Sequence, residues 1–217
     1  MRITSIQRLP RKRAYEVRVD HALVLTLSPD VLAPVGLRPG QEISAEQVEA
    51  LEGAEARHKA MSTALRLLAY GPRSEKEMRD NLHRRKTPDS VAAETMDRLR
   101  SLRLLDDADF AVSYVEAKDR TSPRSRRMLA AELAAKGVPR VVRDASLEAV
   151  NEADAAYRAA AKKARALTSL PYADFQRRLG DHLLHRGFGY EVARAAVRRH
   201  WEELHTTNGT PHAEPCN

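Results

Sequence analysis

The sequence predicts a mainly α-helical protein in which three tandem three-helix repeats follow a small β-rich segment. Of its 217 residues 42% are hydrophobic but only 5% are aromatic, a composition suited to helices packed through small and aliphatic side chains. Three stretches, 74–91, 125–142 and 175–192, align without gaps at offsets of 51 and 50 residues. Repetition at such a fixed period is typical of stacked helical units. We therefore expect an elongated, curved stack that presents an extended surface to a partner.

The aligned stretches repeat apolar and basic residues in the same four columns. Two columns, four residues apart, hold leucine or methionine, as the buried face of a helix does. The third column is basic and the fourth is valine. In chain order the columns are Met78, Leu129 and Leu179; Leu82, Leu133 and Leu183; Arg85, Lys136 and Arg186; and Val91, Val142 and Val192. Each stretch is therefore predicted to contain the second helix of a repeat and the start of its third helix.

The N-terminal part of the chain has a different pattern, which predicts strands. Three short runs, 3–9, 14–19 and 23–27, favour β structure, and the second alternates apolar and polar side chains as a half-buried strand does. Ser28 and Pro29 then form the pattern of a helix N-cap followed by proline at the first helical position. We expect a small β-rich module that ends with a short helix.

Capping residues mark the starts of the helices that follow. Ser44 with Gln47 and Ser74 with Glu77 are capping boxes, in which a serine precedes Gln or Glu by three residues. They predict a long helix to about residue 69 and a second helix to about residue 85. Asp106 is predicted to cap the first helix of the second repeat.

These signals divide the chain into five expected segments. The segments are a β-rich module at 1–43, a linker helix with repeat 1 at 44–106, repeat 2 at 107–152, repeat 3 at 153–204, and a flexible tail at 205–217.

Glycine follows the second helix in two of the three repeats. Gly137 and Gly187 occupy one column, and Lys86 stands there in the first repeat. Glycine at this point predicts a left-handed residue that ends the helix. Lys86 must either tolerate that conformation or let its helix end differently.

The charge of the chain indicates an acidic partner. Lysine and arginine exceed the acidic residues by seven, and the isoelectric point is near 9.7, which favours binding to nucleic acid or to an acidic protein face. The single cysteine, Cys216, fits a reducing compartment. Since no apolar run approaches the roughly 18 residues that span a bilayer, we expect a cytoplasmic protein without membrane contact.

The sequence offers no set of residues for catalysis. It has no glycine-rich phosphate loop, and its histidine pairs lack the further ligands that a zinc site needs. Asp106, Asp107 and Asp109 fit N-capping better than a cation site, which needs more oxygen ligands in a defined turn. We therefore assign no catalytic, cofactor-binding or metal-binding residues and expect no cofactor.

A dense basic stretch is the better functional signal. Between residues 118 and 143 there are eight Lys or Arg and only two acidic residues. Arginines in a loop or in the first turn of a helix can bind phosphates or carboxylates through two parallel hydrogen bonds. A second, weaker cluster lies in the third repeat. The candidate partner- or DNA-binding residues are Lys118, Arg120, Arg124, Arg126, Arg127, Lys136, Arg140, Arg186, Arg194 and Arg198.

Several stretches resemble the RecX family, the regulators of the bacterial recombinase RecA. They are ALRLLAYGPRSEKE at 64–77, LLDDADFA at 104–111, ELAAKGV at 132–138 and LHRGF at 184–188. The resemblance covers about residues 57–204, and the β-rich start is similar to an extension found in many members. Lys86 departs from the family pattern, which has glycine there.

The resemblance implies a fold of three helix-turn-helix-like units and a regulatory function. A protein of this family would mainly inhibit RecA, lying in the groove of the RecA–DNA filament and suppressing ATP hydrolysis, strand exchange and co-protease activity. It would therefore modulate DNA repair and recombination. The partners expected are the RecA filament and, weakly and with salt sensitivity, single- and double-stranded DNA. We expect a monomer that is not an enzyme.

Two other classes of function remain open from the residues alone. A tandem helix-turn-helix repressor would read bases with Arg, Asn or Gln near the start of its recognition helices. Of the three third helices, only the one that begins at Pro139-Arg140 offers an arginine there. A helical scaffold for another protein partner makes no prediction about DNA, and a chain indifferent to both DNA and RecA would fit it.

Overall fold

The computed structural model of the chain describes residues 1–10, 12–20 and 22–206. Within these residues there are three strands and ten helices. The chain divides into two compact units, residues 1–105 and the part that begins at Asp106. The architecture is thus mainly α-helical with a small N-terminal sheet, as predicted. No helix in the described part of the chain is both long and apolar enough to cross a membrane.

The first unit begins with an antiparallel three-stranded sheet. Strands β1 (Ile3–Leu9), β2 (Ala14–Val19) and β3 (Leu23–Leu27) lie in the order β1-β2-β3. Val17 of the central strand pairs with Ile6 on one side and Leu25 on the other, and its side chain is fully buried. Alternation of apolar and polar side chains along β2 therefore sets the buried face of the sheet.

A short helix follows the sheet and begins at the predicted N-cap. Helix α1 (Pro29–Val35) has Ser28 at its N-cap, and Gly36 ends it in the left-handed conformation at φ 62°. Because the cap N–H of Gly36 donates to the carbonyl of Leu32, one of the last helical carbonyls gains a partner.

Helix α2 (Ala45–Ala69) connects two hydrophobic cores of the first unit. The capping box of Ser44 and Gln47 is present, as predicted. Val48 and Leu51 near its start belong to the core beneath the sheet, so the packing of the β-rich module extends past residue 43. Ala60 and Ala64, three turns further on, belong to the core of repeat 1.

Helices α3 (Glu75–Arg84) and α4 (Asp89–Ser101) complete the first repeat. The capping box of Ser74 and Glu77 begins α3, and Met78 and Leu82 of the repeated columns are fully buried. These observations confirm that the leucine and methionine columns form the core of the repeat.

The second unit contains two further three-helix repeats. Repeat 2 consists of α5 (Asp107–Thr121), α6 (Arg126–Ala135) and α7 (Arg140–Leu147), and repeat 3 of α8 (Glu152–Ala166), α9 (Tyr172–His185) and α10 (Tyr190–Thr206). Each repeat has its own core, in which the column residues of α6 and α9 are buried. Residues 205 and 206 belong to α10, and the rest of the predicted tail lies outside the described residues.

The turn between the second and third helices has the same form in all three repeats. Gly137 and Gly187 have φ values of 83° and 84°, and Lys86 adopts φ 58° in the first repeat. The left-handed residue predicted at this point is therefore confirmed, and Lys86 tolerates it at a cost of about 1 kcal/mol. The residue before it, which caps the second helix, is basic every time: Arg85, Lys136 and Arg186.

Candidate partner-binding surface of the second unit

Cationic side chains gather around the aromatic residues of α5. The Nζ atom of Lys136 lies 5.2 Å from the ring centroid of Tyr114 and 5.7 Å from that of Phe110. The Nζ atom of Lys118 lies 5.3 Å from the ring of Tyr114. Because a ring face attracts cations, each contact contributes about 0.5–1 kcal/mol at a partly exposed site. The ring of Tyr114 thus holds two lysines, one from α5 and one from the end of α6.

Glu132 of α6 binds the third cation of this group. Its carboxylate accepts a hydrogen bond of 2.7 Å from the hydroxyl of Tyr114 and forms an ion pair with Arg124. We name the group Lys118, Arg124 and Lys136 around Tyr114 and Glu132 the α5–α6 cation cluster. These five residues comprise three cations and one carboxylate.

Burial and neighbouring cations both lower the pKa of Lys118. Partial burial lowers this pKa below its ordinary value, and the nearby charges of Arg124 and Lys136 lower it further. Lys118 is therefore disfavoured as a cation by its surroundings. An anion bound at the cluster would offset the part of the shift that comes from Arg124 and Lys136, as a phosphate or carboxylate group would do.

Both acidic residues of the basic stretch already have partners. Arg158 of α8 binds Asp119, with Nη2 2.7 Å from the carboxylate and Nη1 2.8 Å from the main-chain carbonyl. Glu132 is engaged by Arg124 and Tyr114. Neither carboxylate is therefore placed to neutralise the other cations of the stretch.

Three predicted site residues that are close in sequence to the α5–α6 cation cluster have side chains exposed to solvent. Arg120 and Arg127 are exposed, and neither forms an ion pair within the described residues. Arg140, at the start of α7, is 85% exposed and has only a 3.5 Å contact with Asp144. Exposed pairs of this kind contribute little to stability. These three side chains are accordingly able to contact a partner.

Arg126, by contrast, has a structural role. Its Nε and Nη2 donate to the carbonyl of Val150 at 2.8 and 2.5 Å, and Nη2 also lies 3.3 Å from the carbonyl of Glu148. Its main-chain N–H donates to Glu152 at 2.8 Å. The side chain therefore satisfies carbonyls beyond the end of α7 and joins α6 to the start of repeat 3.

Arg186 connects repeat 3 to the loop between α5 and α6. Its Nη1 donates to the Ser122 hydroxyl at 2.9 Å and to the Pro123 carbonyl at 3.2 Å. Its own carbonyl accepts from the N–H of Ser125 at 3.2 Å. Next to it, a Cβ atom on Gly187 would lie 2.6 Å from the Ser125 hydroxyl oxygen, so the two repeats approach too closely for a side chain.

The remaining candidates lie on α10. Arg194 is exposed beside a shallow pocket of about 280 Å³ that Arg177 and Leu184 also line. Arg198 forms a loose 3.8 Å contact with Glu202. In the described part of the chain, no ion pair or hydrogen bond connects either residue to the α5–α6 cation cluster.

The structure thus unites only part of the predicted set. Lys118, Arg124 and Lys136 form one cluster, whereas Arg126 and Arg186 hold the repeats together. Sequence analysis did not identify Tyr114 and Glu132 as site residues. The positions of Phe110, Tyr114 and Lys118, each four residues after the last, signal a shared helix face, but Glu132 has no such local signal. Within the described ranges, no three His, Cys, Asp or Glu side chains form a group that could hold a metal ion.

The comparison with protein families matches three domains in chain order. The first three-helix domain of RecX matches residues 60–99, the second matches 106–147 and the third matches 151–197. The matched segments coincide with the three repeats of the structure and cover more than half of the chain.

Two similar proteins share the description regulatory protein RecX. Regulatory protein RecX of Geobacillus thermodenitrificans is 34% identical over 80% of this chain and 65% of its own length. That of Levilactobacillus brevis is 33% identical over 88% of this chain and 73% of its own. The chain therefore spans just under two thirds of the Geobacillus protein.

Solved structures show the same fold. A crystal structure of regulatory protein RecX superposes with a TM-score of 0.61 at 26% identity, covering 88% of this chain and 96% of that one. RecX from Lactobacillus salivarius superposes with a TM-score of 0.59 at 24% identity over 67% of this chain.

Fold and surface together define a helical-repeat regulatory protein with a cationic face on its middle repeat. The order of the three matched domains and the identity to the relatives are decisive for the family. The chain belongs to the RecX family, whose members are regulatory proteins.

Proposed function

We propose that this protein regulates RecA, mainly as an inhibitor, by binding in the groove of the RecA–DNA filament. It would suppress ATP hydrolysis, strand exchange and co-protease activity, and so modulate DNA repair and recombination. The observation that carries the proposal is the α5–α6 cation cluster, in which three cations surround one carboxylate that is already engaged. The name of the relatives, regulatory protein RecX, supports the same partner.

The physical basis is the match between a repeating protein and a repeating polymer. Three similar units can each meet an equivalent position of a filament, and the contribution of each contact need only be small because linked contacts reinforce one another. Exposed arginines such as Arg120 and Arg127 would add charge-dependent contacts that salt weakens. Binding to free DNA would be weak and salt-sensitive for the same reason.

The proposal includes three further properties of the chain. It acts as a monomer, without catalysis of its own, in the cytoplasm. Its candidate contact residues are those exposed or clustered in the second unit: Lys118, Arg120, Arg124, Arg127, Lys136, Arg140, Arg194 and Arg198.

A second candidate function is direct reading of DNA by a tandem helix-turn-helix repressor. The observation that favours it is Arg140, which is 85% exposed at the first position of the third helix of repeat 2. A recognition helix places such residues against base edges. The third helices of repeats 1 and 3 begin instead at Asp89 and Tyr190, which do not offer that contact.

The test is a titration of DNA-stimulated ATP hydrolysis by RecA with the purified protein. We expect inhibition by the wild type, less inhibition at higher salt, and less again with the double variant Arg120→Glu/Arg127→Glu. The matched control is Arg8→Glu/Arg38→Glu, which makes the same charge change at two exposed arginines of the first unit. Hydrolysis that stays unchanged over a wide ratio of wild-type protein to RecA would refute the proposal. Tight, sequence-selective gel shifts without RecA would favour the repressor.

A further inference from the structure

A polar groove of about 500 Å³ crosses the middle of α2 in the first unit. Four parts of the unit form it: the turn before β2, the N-terminal end of α1, one face of α2, and the turn between α3 and α4. Its lining includes the cationic and hydroxyl side chains Arg13, Ser28, His58, Lys59, Ser62, Thr63, Arg66, Arg85 and Thr87. Sequence analysis assigned no function to this part of the chain.

The α2 side of the groove is a regular stripe. Lys59, Ser62, Thr63 and Arg66 are spaced at i, i+3, i+4 and i+7, so they lie on one face of the helix. The helix face turned away from the groove is anchored in the core of repeat 1 by Ala64. Lys59 and Arg66 are separated by about 10.5 Å along the helix axis, at 1.5 Å per residue.

The groove carries four Arg or Lys side chains and one carboxylate. That carboxylate, Asp30, lies 3.6 Å from the ring of His58. Arg13, Arg66 and Arg85 are exposed, and none of them forms an ion pair within residues 1–10, 12–20 and 22–206. The charge of the groove is therefore not balanced by the protein itself.

The buried acid beneath the groove is already paired with two residues of the groove lining, Ser28 and Lys59. Buried Glu55 accepts hydrogen bonds from the N–H and the hydroxyl of Ser28 at 2.7 and 2.8 Å, and Lys59 lies 3.1 Å from it. Burial alone raises the pKa of Glu55, but these hydrogen bonds and Lys59 together hold the pKa below its ordinary value. Glu55 is thus committed to structure and leaves Arg66 and Arg85 without a competing acid.

The first repeat also differs from the others at the helix turn beside the groove. Arg85 is followed by Lys86 at φ 58°, where the other repeats have glycine. Lys86, with Lys59 and Arg85, lines an adjoining pocket against β3 that also contains Glu52 and Glu55, so cations exceed carboxylates there by one. The left-handed position that glycine occupies without strain elsewhere carries an additional cation here.

The chemistry of this lining fits phosphate groups in a chain. Guanidinium, ammonium and hydroxyl groups are the side chains that bind phosphodiester oxygens. The groove lining contains no Phe, Tyr or Trp, and its one ring, the imidazole of His58, lies 3.6 Å from Asp30, so the lining offers little surface on which bases can stack.

We propose that this groove binds the phosphodiester backbone of a nucleic-acid strand without reading its sequence. An acidic peptide fits less well, because protein interfaces draw their affinity from apolar and aromatic anchors in pockets, and the groove lining is dominated by polar side chains. The inference deepens the proposed function by assigning contact with DNA to the first unit. It rests on the proposed function only in taking DNA to be the nucleic acid that is bound.

The test is binding of a labelled single-stranded oligo(dT) to the full chain, followed by fluorescence anisotropy over a range of salt concentrations. For the double variant Arg66→Glu/Arg85→Glu we expect affinity to fall by about tenfold or more. For the neutral variant Arg66→Gln/Arg85→Gln, the slope of log affinity against log salt should become shallower by about 1.4, at about 0.7 for each lost contact. The control Arg8→Glu/Arg38→Glu alters exposed arginines outside the groove and should lose less affinity.

Several results would overturn the inference. One is wild-type affinity in both groove variants, with circular dichroism showing an intact fold. Another is competition by poly-glutamate as effective as that by oligo(dT) of equal charge, which would assign the groove to acidic peptides. The two proposals fail separately. Inhibition of RecA without oligonucleotide binding removes this inference alone, whereas groove-dependent binding without inhibition removes the proposed function alone.

Discussion

The hydroxyl of Tyr114 donates a hydrogen bond of 2.7 Å to the carboxylate of Glu132, and this bond connects α5 to α6 of repeat 2. The same carboxylate holds Arg124, while the ring of Tyr114 lies beneath Lys118 and Lys136. One tyrosine and one glutamate therefore set the position and the net charge of the cluster that we assign to partner binding.

Replacing Glu132 with glutamine should weaken the fold and strengthen anion binding. The change keeps the shape but removes the charge that pairs with Arg124, so we expect a loss of about 1 kcal/mol in the free energy of unfolding. Affinity for oligo(dT) should rise because the cluster gains a positive charge. Urea unfolding and fluorescence anisotropy measure the two effects. Tyr114→Phe is the control, since it removes the hydrogen bond without altering charge; weaker DNA binding by Glu132→Gln would contradict this account.

Arg126 and its neighbour Arg127 should behave oppositely on truncation. Arg126→Ala leaves the carbonyl of Val150 without its side-chain donor, so we expect the free energy of unfolding to fall by about 2 kcal/mol. Arg127→Ala removes an exposed side chain and should change stability by less than about 0.5 kcal/mol. Chemical denaturation of the two variants tests the difference, and equal stability would show that Arg126 is not structural.

A methyl group at Gly187 should destabilise the contact between repeats 2 and 3. Gly187→Ala combines a left-handed backbone at φ 84° with a Cβ atom 2.6 Å from the Ser125 hydroxyl oxygen, and should cost at least about 2 kcal/mol. Gly189→Ala is the control, because nothing lies within 4 Å of its Cβ and its φ is not positive. Thermal unfolding of both variants gives the comparison, and a stable Gly187→Ala would mean that the repeats can separate at no cost.

Acid should weaken repeat 3 through His182. Burial lowers the pKa of His182 below its ordinary value of 6.5, and the charges of Arg186 and Lys163 act in the same direction. The unfolded chain therefore binds a proton more readily than the folded protein, so stability is full above about pH 6.5 and declines as the pH falls below it. His182→Gln should reduce the difference in unfolding free energy between pH 7.5 and 5.5. An unchanged difference would assign the acid sensitivity to other groups.

Lys86→Gly should raise the stability of the protein and lower its affinity for DNA. Glycine adopts φ 58° without the penalty that lysine meets, so we expect the free energy of unfolding to rise by up to about 1 kcal/mol. Affinity for oligo(dT) should decrease because the positive surface beside the groove loses one charge. Parallel unfolding and anisotropy measurements would show changes of opposite sign; a variant that is less stable would show that the Lys86 side chain contributes to packing.

Features that depend on neighbouring residues could be predicted from the sequence. The caps at Ser44, Ser74 and Asp106 and the left-handed residues after the second helices follow from hydrogen bonds that close within a few positions. The buried leucine columns follow from helical periodicity. These local rules predicted the three-repeat architecture that the structure shows.

The candidate site was only partly predictable because its partners are distant in sequence. The guanidinium of Arg126 binds a carbonyl 24 residues away, and that of Arg186 binds a hydroxyl 64 residues away. A count of charges along the chain therefore cannot separate these structural arginines from exposed ones such as Arg127. A count of charges along the chain does not identify the groove on α2 either, because Arg13, Arg66 and Arg85 come from three separate parts of the chain.

Helix α2 has a consequence for how the first unit unfolds. Val48 and Leu51 in its first turns pack in the core beneath the sheet. Ala60 and Ala64 in its later turns pack in the core of repeat 1. Unfolding of either core exposes apolar residues of the same continuous helix, so we expect the sheet and the repeat to unfold as a single cooperative unit. Amide hydrogens of β2 and α3 are then expected to exchange with solvent at one common rate-limiting opening. A shortened chain that begins after the sheet would leave Val48 and Leu51 uncovered and prone to self-association.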